Sequence, residues 1–152
     1  MKNRITILCF VLFTNFLIAQ DTPKILMNFN HVSLSVSDVN VSADFYKSMF
    51  QLEEIINRTK IEGIRWFSLG EGKELHLISV VPGDIVINKA VHFALTTSTF
   101  DEFVKNLNDK NINYTNWDGD VQVVSIRPDG VKQVFVQDPD GYWIEVNSVA
   151  QN

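Results

Sequence analysis

Three histidines and one glutamate have the residue types and the spacing that could hold a metal ion. His31, His76 and His92 are the three histidines of the chain, and each alternates with apolar residues in the manner of a half-buried strand. Glu145 stands between apolar neighbours in the same way. Three imidazoles and a carboxylate suit Zn²⁺, Ni²⁺, Fe²⁺, Co²⁺ or Mn²⁺, whereas Ca²⁺ requires more oxygen ligands. These four residues are therefore the candidate metal ligands.

The candidate ligands lie at equivalent places in two similar halves of the chain. His31 and His92 fall on the polar faces of two predicted strands, each followed by an amphipathic helix with capping residues at its start. His76 and Glu145 fall on the last strand of each half. The repeat, about 61 residues long, predicts one α+β domain over 28–148, built from two βαβββ modules, 28–80 and 90–148. The predicted strands are 28–36, 54–59, 64–69, 74–80, 91–97, 114–115, 121–126, 133–137 and 142–148. The predicted helices are 38–50, capped by Ser37 or Asp38, and 98–111, capped by Thr97 or Ser98.

The first twenty residues have the pattern of a secretory signal peptide. Lys2 and Arg4 precede an apolar run over residues 5–18, and the small Ala19 follows it. The run is shorter than the roughly 20 apolar residues that span a bilayer, although an uncleaved anchor or lipidation at Cys9 stays open. We expect a secreted or periplasmic protein that has no membrane segment once residues 1–20 are removed.

The composition argues against nucleic acid as a partner and for a small-molecule substrate. The formal net charge is −5, and it becomes more negative when the two cationic residues of the signal peptide are removed. Binding to phosphate requires clustered cations, and the chain has no such cluster. Removal of the signal peptide also removes the single cysteine, so the mature chain would bind a metal through nitrogen and oxygen atoms.

Residues 28–147 resemble the vicinal-oxygen-chelate superfamily, which includes glyoxalase I, methylmalonyl-CoA epimerase, extradiol dioxygenases, and the fosfomycin and bleomycin resistance proteins. The most specific marker is the segment DPDGYWIEV at 138–146. The segments NHVSLSV at 30–36, ADFY at 43–46 and VHFAL at 91–95 resemble the openings of the two modules. The resemblance implies a cup-shaped mixed sheet with the helices outside, and it places His31, His92 and Glu145 at metal-binding positions.

His76 departs from the family pattern, since bacterial glyoxalase I usually has a glutamate at this position and the epimerases a glutamine. A histidine can still bind metal there. The ligand set would then have three neutral members and one anionic member, so a bound divalent ion keeps more positive charge and polarises an oxygen ligand more strongly.

The resemblance implies an exported, metal-dependent glyoxalase-like enzyme, a lyase or isomerase, that acts on a small substrate chelated through adjacent oxygens. Glu145 is the candidate catalytic base if it leaves the metal, and it is equally a candidate permanent ligand. Trp143 shares the face of Glu145 by alternation and is the candidate substrate-binding wall. Two alternatives remain open: a non-haem iron dioxygenase, and a metal-independent protein of the bleomycin-resistance kind that sequesters its ligand.

The spacing of the ligands leaves the assembly of the site open. The two modules can close a cup within one chain, or they can exchange between chains, so that His31 and His76 of one chain meet His92 and Glu145 of another. By resemblance we expect a homodimer.

Overall fold

The computed structural model describes residues 27–81, 83 and 87–149. The predicted signal peptide lies outside the described residues, and within them no helix is long and apolar enough to cross a membrane. The elements follow the order βαβββ twice. They are β1 (His31–Ser35), α1 (Val39–Phe50), β2 (Glu54–Ile55), β3 (Ile64–Gly70), β4 (Lys73–Ile78), β5 (His92–Thr97), α2 (Phe100–Asp109), β6 (Ser125–Ile126), β7 (Lys132–Gln137) and β8 (Trp143–Ser148).

Each module forms one four-stranded mixed sheet. The strand order is β1-β4-β3-β2 in the first sheet and β5-β8-β7-β6 in the second. β1 runs parallel to β4 and β5 runs parallel to β8, while the other pairs are antiparallel. Ser33 lies opposite His76, and Ala94 lies opposite Glu145. The predicted α+β fold of two modules is confirmed. Because the strand pairs β1–β4 and β5–β8 have the same register, His76 on β4 and Glu145 on β8 occupy equivalent positions in the two modules.

One hydrophobic core joins the two modules. Leu34 and Leu77 from the first sheet belong to the same buried cluster as Val136 and Ile144 from the second. The helices meet between the modules, where the rings of Phe50 and Phe103 stack with centroids 5.8 Å apart. Because successive residues of a strand point to opposite faces, the candidate ligands lie on the faces turned away from this core.

The two helices begin differently, since a side chain caps α1 and none caps α2. Of the two predicted caps, Asp38 begins α1, and its carboxylate accepts hydrogen bonds from the backbone N–H groups of Asn40 at 2.8 Å and Val41 at 3.2 Å. α2 begins after Thr99, later than the predicted cap at Thr97 or Ser98. The hydroxyl of Thr97 instead accepts a hydrogen bond from the backbone N–H of Thr99 at 3.1 Å, and this turn delays the helix.

Two predicted strands are much shorter than expected. The strand predicted at 54–59 ends at Ile55, because the Asn57 side chain donates to the carbonyl groups of Ile61 in the following loop and Ile64 at the start of β3, both at 3.0 Å. The strand predicted at 121–126 is reduced to β6, since Gln122 adopts a positive φ of 57° that interrupts an extended backbone. Thr115 forms isolated bridges to Val121 and Phe135 rather than a strand.

Candidate metal centre

The first module brings His31 and His76 into contact, and we call them the module-one pair. Their rings stack with centroids 4.4 Å apart and planes 16° apart. The other face of His76 stacks on Trp66 of β3 at 4.0 Å. His76 is therefore held between two rings and is buried, with 9% of its surface exposed, whereas His31 lies at the exposed start of β1.

A histidine nitrogen binds a metal in the plane of its ring, and the planes of the stacked pair are nearly parallel, so both rings could bind one ion only if one of them turned. The His31 Nδ1 atom lies 2.7 Å from the side-chain oxygen of Asn30, which leaves Nε2 free. The His76 Nε2 atom lies 2.8 Å from the carboxylate of Glu74, so His76 could bind a metal through Nδ1 while Glu74 orients its ring.

Sequence reasoning missed Glu74, although its alternation with His76 along β4 could have indicated the shared face. Arg58 donates to both oxygens of this carboxylate, at 2.7 and 2.9 Å, and its guanidinium lies 4.5 Å above the ring of Trp66. Hydrogen bonds from His76 and Arg58 hold the pKa of Glu74 below its usual value. Glu74 is therefore anionic at neutral pH.

The second module brings His92 and Glu145 into contact, and we call them the module-two pair. The His92 Nε2 atom lies 3.0 Å from a Glu145 oxygen, and the two side chains are 23% and 12% exposed. The ring of Phe135 meets His92 edge to face at 5.5 Å. Phe135 lies opposite Glu145 as Trp66 lies opposite His76, so an aromatic ring supports the ligand pair in both modules.

The hydrogen bonding of His92 bears directly on whether this pair fits a metal. Its Nδ1 atom lies 2.7 Å from the backbone carbonyl oxygen of Lys89. A carbonyl oxygen can only accept, so Nδ1 carries the proton. Nε2 and the Glu145 carboxylate are then two acceptors in contact, which requires a second proton or a cation between them. Ligand bonds of about 2.0–2.2 Å place two neighbouring ligand atoms of one ion roughly 3 Å apart, so the pair fits a divalent metal.

Within the described part of the chain, the four candidate ligands form two pairs rather than one cluster. No group of three or more histidine, cysteine, aspartate or glutamate side chains there is arranged to hold a metal ion. The module-one pair and the module-two pair are thus each half of the predicted donor set.

Trp143 lies on the ligand face of β8, as alternation predicts, and lines a small cavity of about 200 Å³ beside His92. One face of its ring is covered by the Lys89 ammonium at 4.4 Å, a contact that the sequence did not indicate. The cavity lies where the edges of β1 and β5 approach each other. Its lining is Val32, Ser33, Leu34, Val91, His92, Phe93, Tyr142 and Trp143.

The turn before β8 fixes the position of Glu145 by binding the first module. Asp138 is buried and accepts a hydrogen bond from the Tyr46 hydroxyl at 2.9 Å, and Asp140 accepts from the Ser42 hydroxyl at 2.9 Å. Burial raises the pKa of Asp138. Burial also acts to raise the pKa of Asp140. Hydrogen bonds from Ser37 and Ser42 outweigh this effect, so the pKa of the Asp140 carboxyl is lowered.

Comparison with known proteins agrees with this architecture. The family model of the Glyoxalase/Bleomycin resistance protein/Dioxygenase superfamily matches residues 28–146. The metallothiol transferase FosB of Staphylococcus saprophyticus is 30% identical over 129 residues, which cover 81% of this chain and 78% of the relative.

Solved structures share the fold. A glyoxalase family protein from Bacillus anthracis superposes with a TM-score of 0.66 at 24% identity, covering 84% of this chain and 98% of the other. Lactoylglutathione lyase from Agrobacterium tumefaciens gives 0.63 at 20% identity, with 82% and 96% covered. With the repeated modules and the match over most of its length, this chain belongs to the glyoxalase/bleomycin resistance protein/dioxygenase superfamily.

Proposed function

We propose that this protein is a metal-dependent enzyme of the glyoxalase type that acts on a small substrate bound through adjacent oxygen atoms. His31, His76, His92 and Glu145 are the proposed ligands. The observation that carries the proposal is the 3.0 Å contact between His92 Nε2 and Glu145, made while Nδ1 is committed to the Lys89 carbonyl. Zn²⁺, Ni²⁺, Fe²⁺, Co²⁺ and Mn²⁺ all suit these nitrogen and oxygen donors.

The metal, Glu145 and Trp143 would have different roles in the reaction. When bound, a divalent ion polarises an oxygen ligand and stabilises negative charge that develops on it. If Glu145 left the metal, its carboxylate could accept the proton of a carbon next to a polarised carbonyl and return it to the neighbouring carbon. The free face of Trp143 supplies an apolar wall, since Lys89 covers the other face.

We propose that the complete site forms between the two chains of a homodimer. The module-one pair and the module-two pair each contribute two donors, and within the described residues they do not converge. A two-fold symmetric dimer that brings the module-one pair of each chain to the module-two pair of its partner would create two identical sites.

Transfer of a thiol is the second candidate reaction. The relative with 30% identity is named a metallothiol transferase. At the position equivalent to Glu145 the first module carries His76, so the proposed donor set has one carboxylate and lacks a second that could serve as base. When a thiolate attacks a carbon bonded to oxygen, a carbon–sulfur bond forms and the carbon–oxygen bond breaks, leaving its electron pair on the oxygen, where a bound metal would stabilise the charge. This step requires no second carboxylate, which supports thiol transfer as the second candidate.

Export remains part of the proposal, because residues 1–20 have the pattern of a signal peptide. The intact mass of the protein recovered from the periplasm or the medium tests it. A mass that corresponds to a start near residue 20 or 21 is expected, and full-length protein retained in the cytoplasm contradicts export.

The proposed function is tested by metal content and then by substrate. The purified protein is loaded with each candidate metal and analysed beside Glu145→Gln and the control Glu62→Gln, which changes an exposed glutamate in the loop between β2 and β3. We expect about one metal per chain in the wild type and in the control, and at least roughly tenfold weaker binding in Glu145→Gln. Absence of metal from the wild type contradicts the proposal and favours a sequestering role. The loaded protein is then assayed with hemithioacetals for isomerisation and with a thiol plus an electrophile for adduct formation.

A further inference from the structure

Lys89 lies beside the module-two pair, and its ammonium group is fully engaged by the protein. It donates to the Thr115 hydroxyl at 3.0 Å, the Asn116 carbonyl at 2.9 Å and the Trp117 carbonyl at 3.2 Å. An ammonium group has three donors, and these acceptors use all of them. Lys89 is therefore not arranged to bind an anionic substrate, in spite of its place next to the candidate ligands.

The same ammonium group packs on the aromatic rings that surround the ligand face. It lies 4.4 Å from the ring centre of Trp143 and 5.4 Å from that of Phe135, within the range of a cation–π interaction. The Lys89 side chain thus connects the segment before β5 with the loop at 115–117, with β7 and with β8.

The backbone of Lys89 acts on His92 at the same time. Its carbonyl oxygen accepts the Nδ1 proton of His92 at 2.7 Å. The turn that contains it is closed by Asn88, whose backbone carbonyl accepts from Val91 N–H at 2.9 Å and whose side-chain oxygen accepts from Ala90 N–H at 3.0 Å. The position of the carbonyl group therefore depends on a turn that the Lys89 side chain anchors to the sheet.

We propose that Lys89 is a positioning residue that holds the imidazole of His92 with Nδ1 protonated and Nε2 directed at Glu145. This inference rests on the proposed function in treating His92 as a metal ligand. The first module achieves the equivalent arrangement at His31 with the adjacent Asn30 side chain. In the second module the partner of the histidine Nδ1 atom is the Lys89 backbone carbonyl. The Lys89 side chain therefore holds that carbonyl in place, as the Asn30 side chain directly holds His31 in the first module.

The test compares Lys89→Met with Lys89→Arg, which keeps a cation above Trp143, and with Lys105→Met, which removes an exposed lysine on α2. The first readout is the Nδ1 proton signal of His92 in ¹H–¹⁵N spectra of histidine-labelled protein, recorded at one pH with and without Zn²⁺. The second is the Zn²⁺ dissociation constant. Circular dichroism verifies that each variant is folded.

In Lys89→Met we expect the Nδ1 proton to exchange with water at least tenfold faster, and the Zn²⁺ dissociation constant to rise by roughly 10–100-fold. Lys89→Arg should restore much of the protection, and Lys105→Met should match the wild type in both readouts. Unchanged protection of Nδ1 in folded Lys89→Met overturns the inference. If the wild type does not bind Zn²⁺, the proposed function is contradicted and the positioning role is not. Faster exchange of the His92 Nδ1 proton in metal-free Lys89→Met would still support the positioning role.

Discussion

Replacement of Tyr46 by phenylalanine removes one hydroxyl group from the buried junction between the modules. Tyr46 is fully buried and donates to Asp138 at 2.9 Å. A hydrogen bond to a charged group contributes about 1.5–3 kcal/mol, and phenylalanine preserves the packing of the ring. We therefore expect the free energy of unfolding to fall by ~2 kcal/mol at pH 7. In a domain of this size that corresponds to a decrease in Tm of roughly 6–12 °C.

The pH dependence of this effect follows from the pKa of Asp138. Burial raises that pKa in the folded protein, while hydrogen bonds from Tyr142 and Tyr46 oppose the rise. The folded protein therefore binds the Asp138 proton more tightly than the unfolded chain, whose pKa is about 3.9. The contribution of this residue to stability falls as the pH rises from about 4 through the folded pKa. Loss of the Tyr46 hydroxyl raises the pKa further, so Tyr46→Phe should be more destabilising at pH 7 than at pH 4.

Urea denaturation at pH 4 and pH 7 measures both effects. The matched control is Tyr114→Phe, because Tyr114 is also buried and its hydroxyl has no hydrogen-bond partner among the described residues. The reasoning is refuted if Tyr46→Phe is no more destabilising than this control at pH 7. It is also refuted if the loss of stability is greater at pH 4.

Two further substitutions test the junction between the modules and the ligand set. The pKa of Asp140 is lowered by hydrogen bonds from Ser37 and Ser42, so its stabilising effect is present above the unfolded pKa and is lost as the pH falls through the folded one. Asp140→Asn should therefore lower the free energy of unfolding at pH 7, and this free energy should fall less between about pH 4 and pH 2 than it does in the wild type. The same decrease with pH in both proteins, measured by urea denaturation, would contradict this. His76→Ala should weaken metal binding roughly tenfold or more. An unchanged dissociation constant would remove His76 from the ligand set.

The parts of the fold that follow from local periodicity were predictable from the sequence. Alternation along 30–36 and 91–97 placed His31 and His92 on strand faces opposite the core, and the repeat identified equivalent strands for His76 and Glu145. A cap for α1 at Ser37 or Asp38 was also predictable, because a side-chain oxygen at the start of an apolar periodic segment satisfies free N–H groups of the first turn, and the structure selects Asp38.

The parts that depend on contacts distant in sequence were not predictable. Glu74 could be placed on the face of His76, but its bidentate partner Arg58 lies in the loop between β2 and β3. Lys89 is a loop residue whose side chain reaches carbonyl groups at 116 and 117, and no periodic pattern encodes that contact. The repeat indicated the two ligand pairs, but whether they meet within one chain is a tertiary property, since strand alternation fixes the face of a residue and not which sheets meet.

The most direct test of the central claim is metal content after subunit exchange between His31→Ala and His92→Ala. If each site combines the module-one pair of one chain with the module-two pair of its partner, a mixed dimer contains one intact site, although neither variant has one by itself. Random exchange of equal amounts makes half of the dimers mixed, so the mixture should bind roughly a quarter of the wild-type amount of metal. Metal content that stays at the level of the separate variants after verified exchange would contradict a site shared between chains.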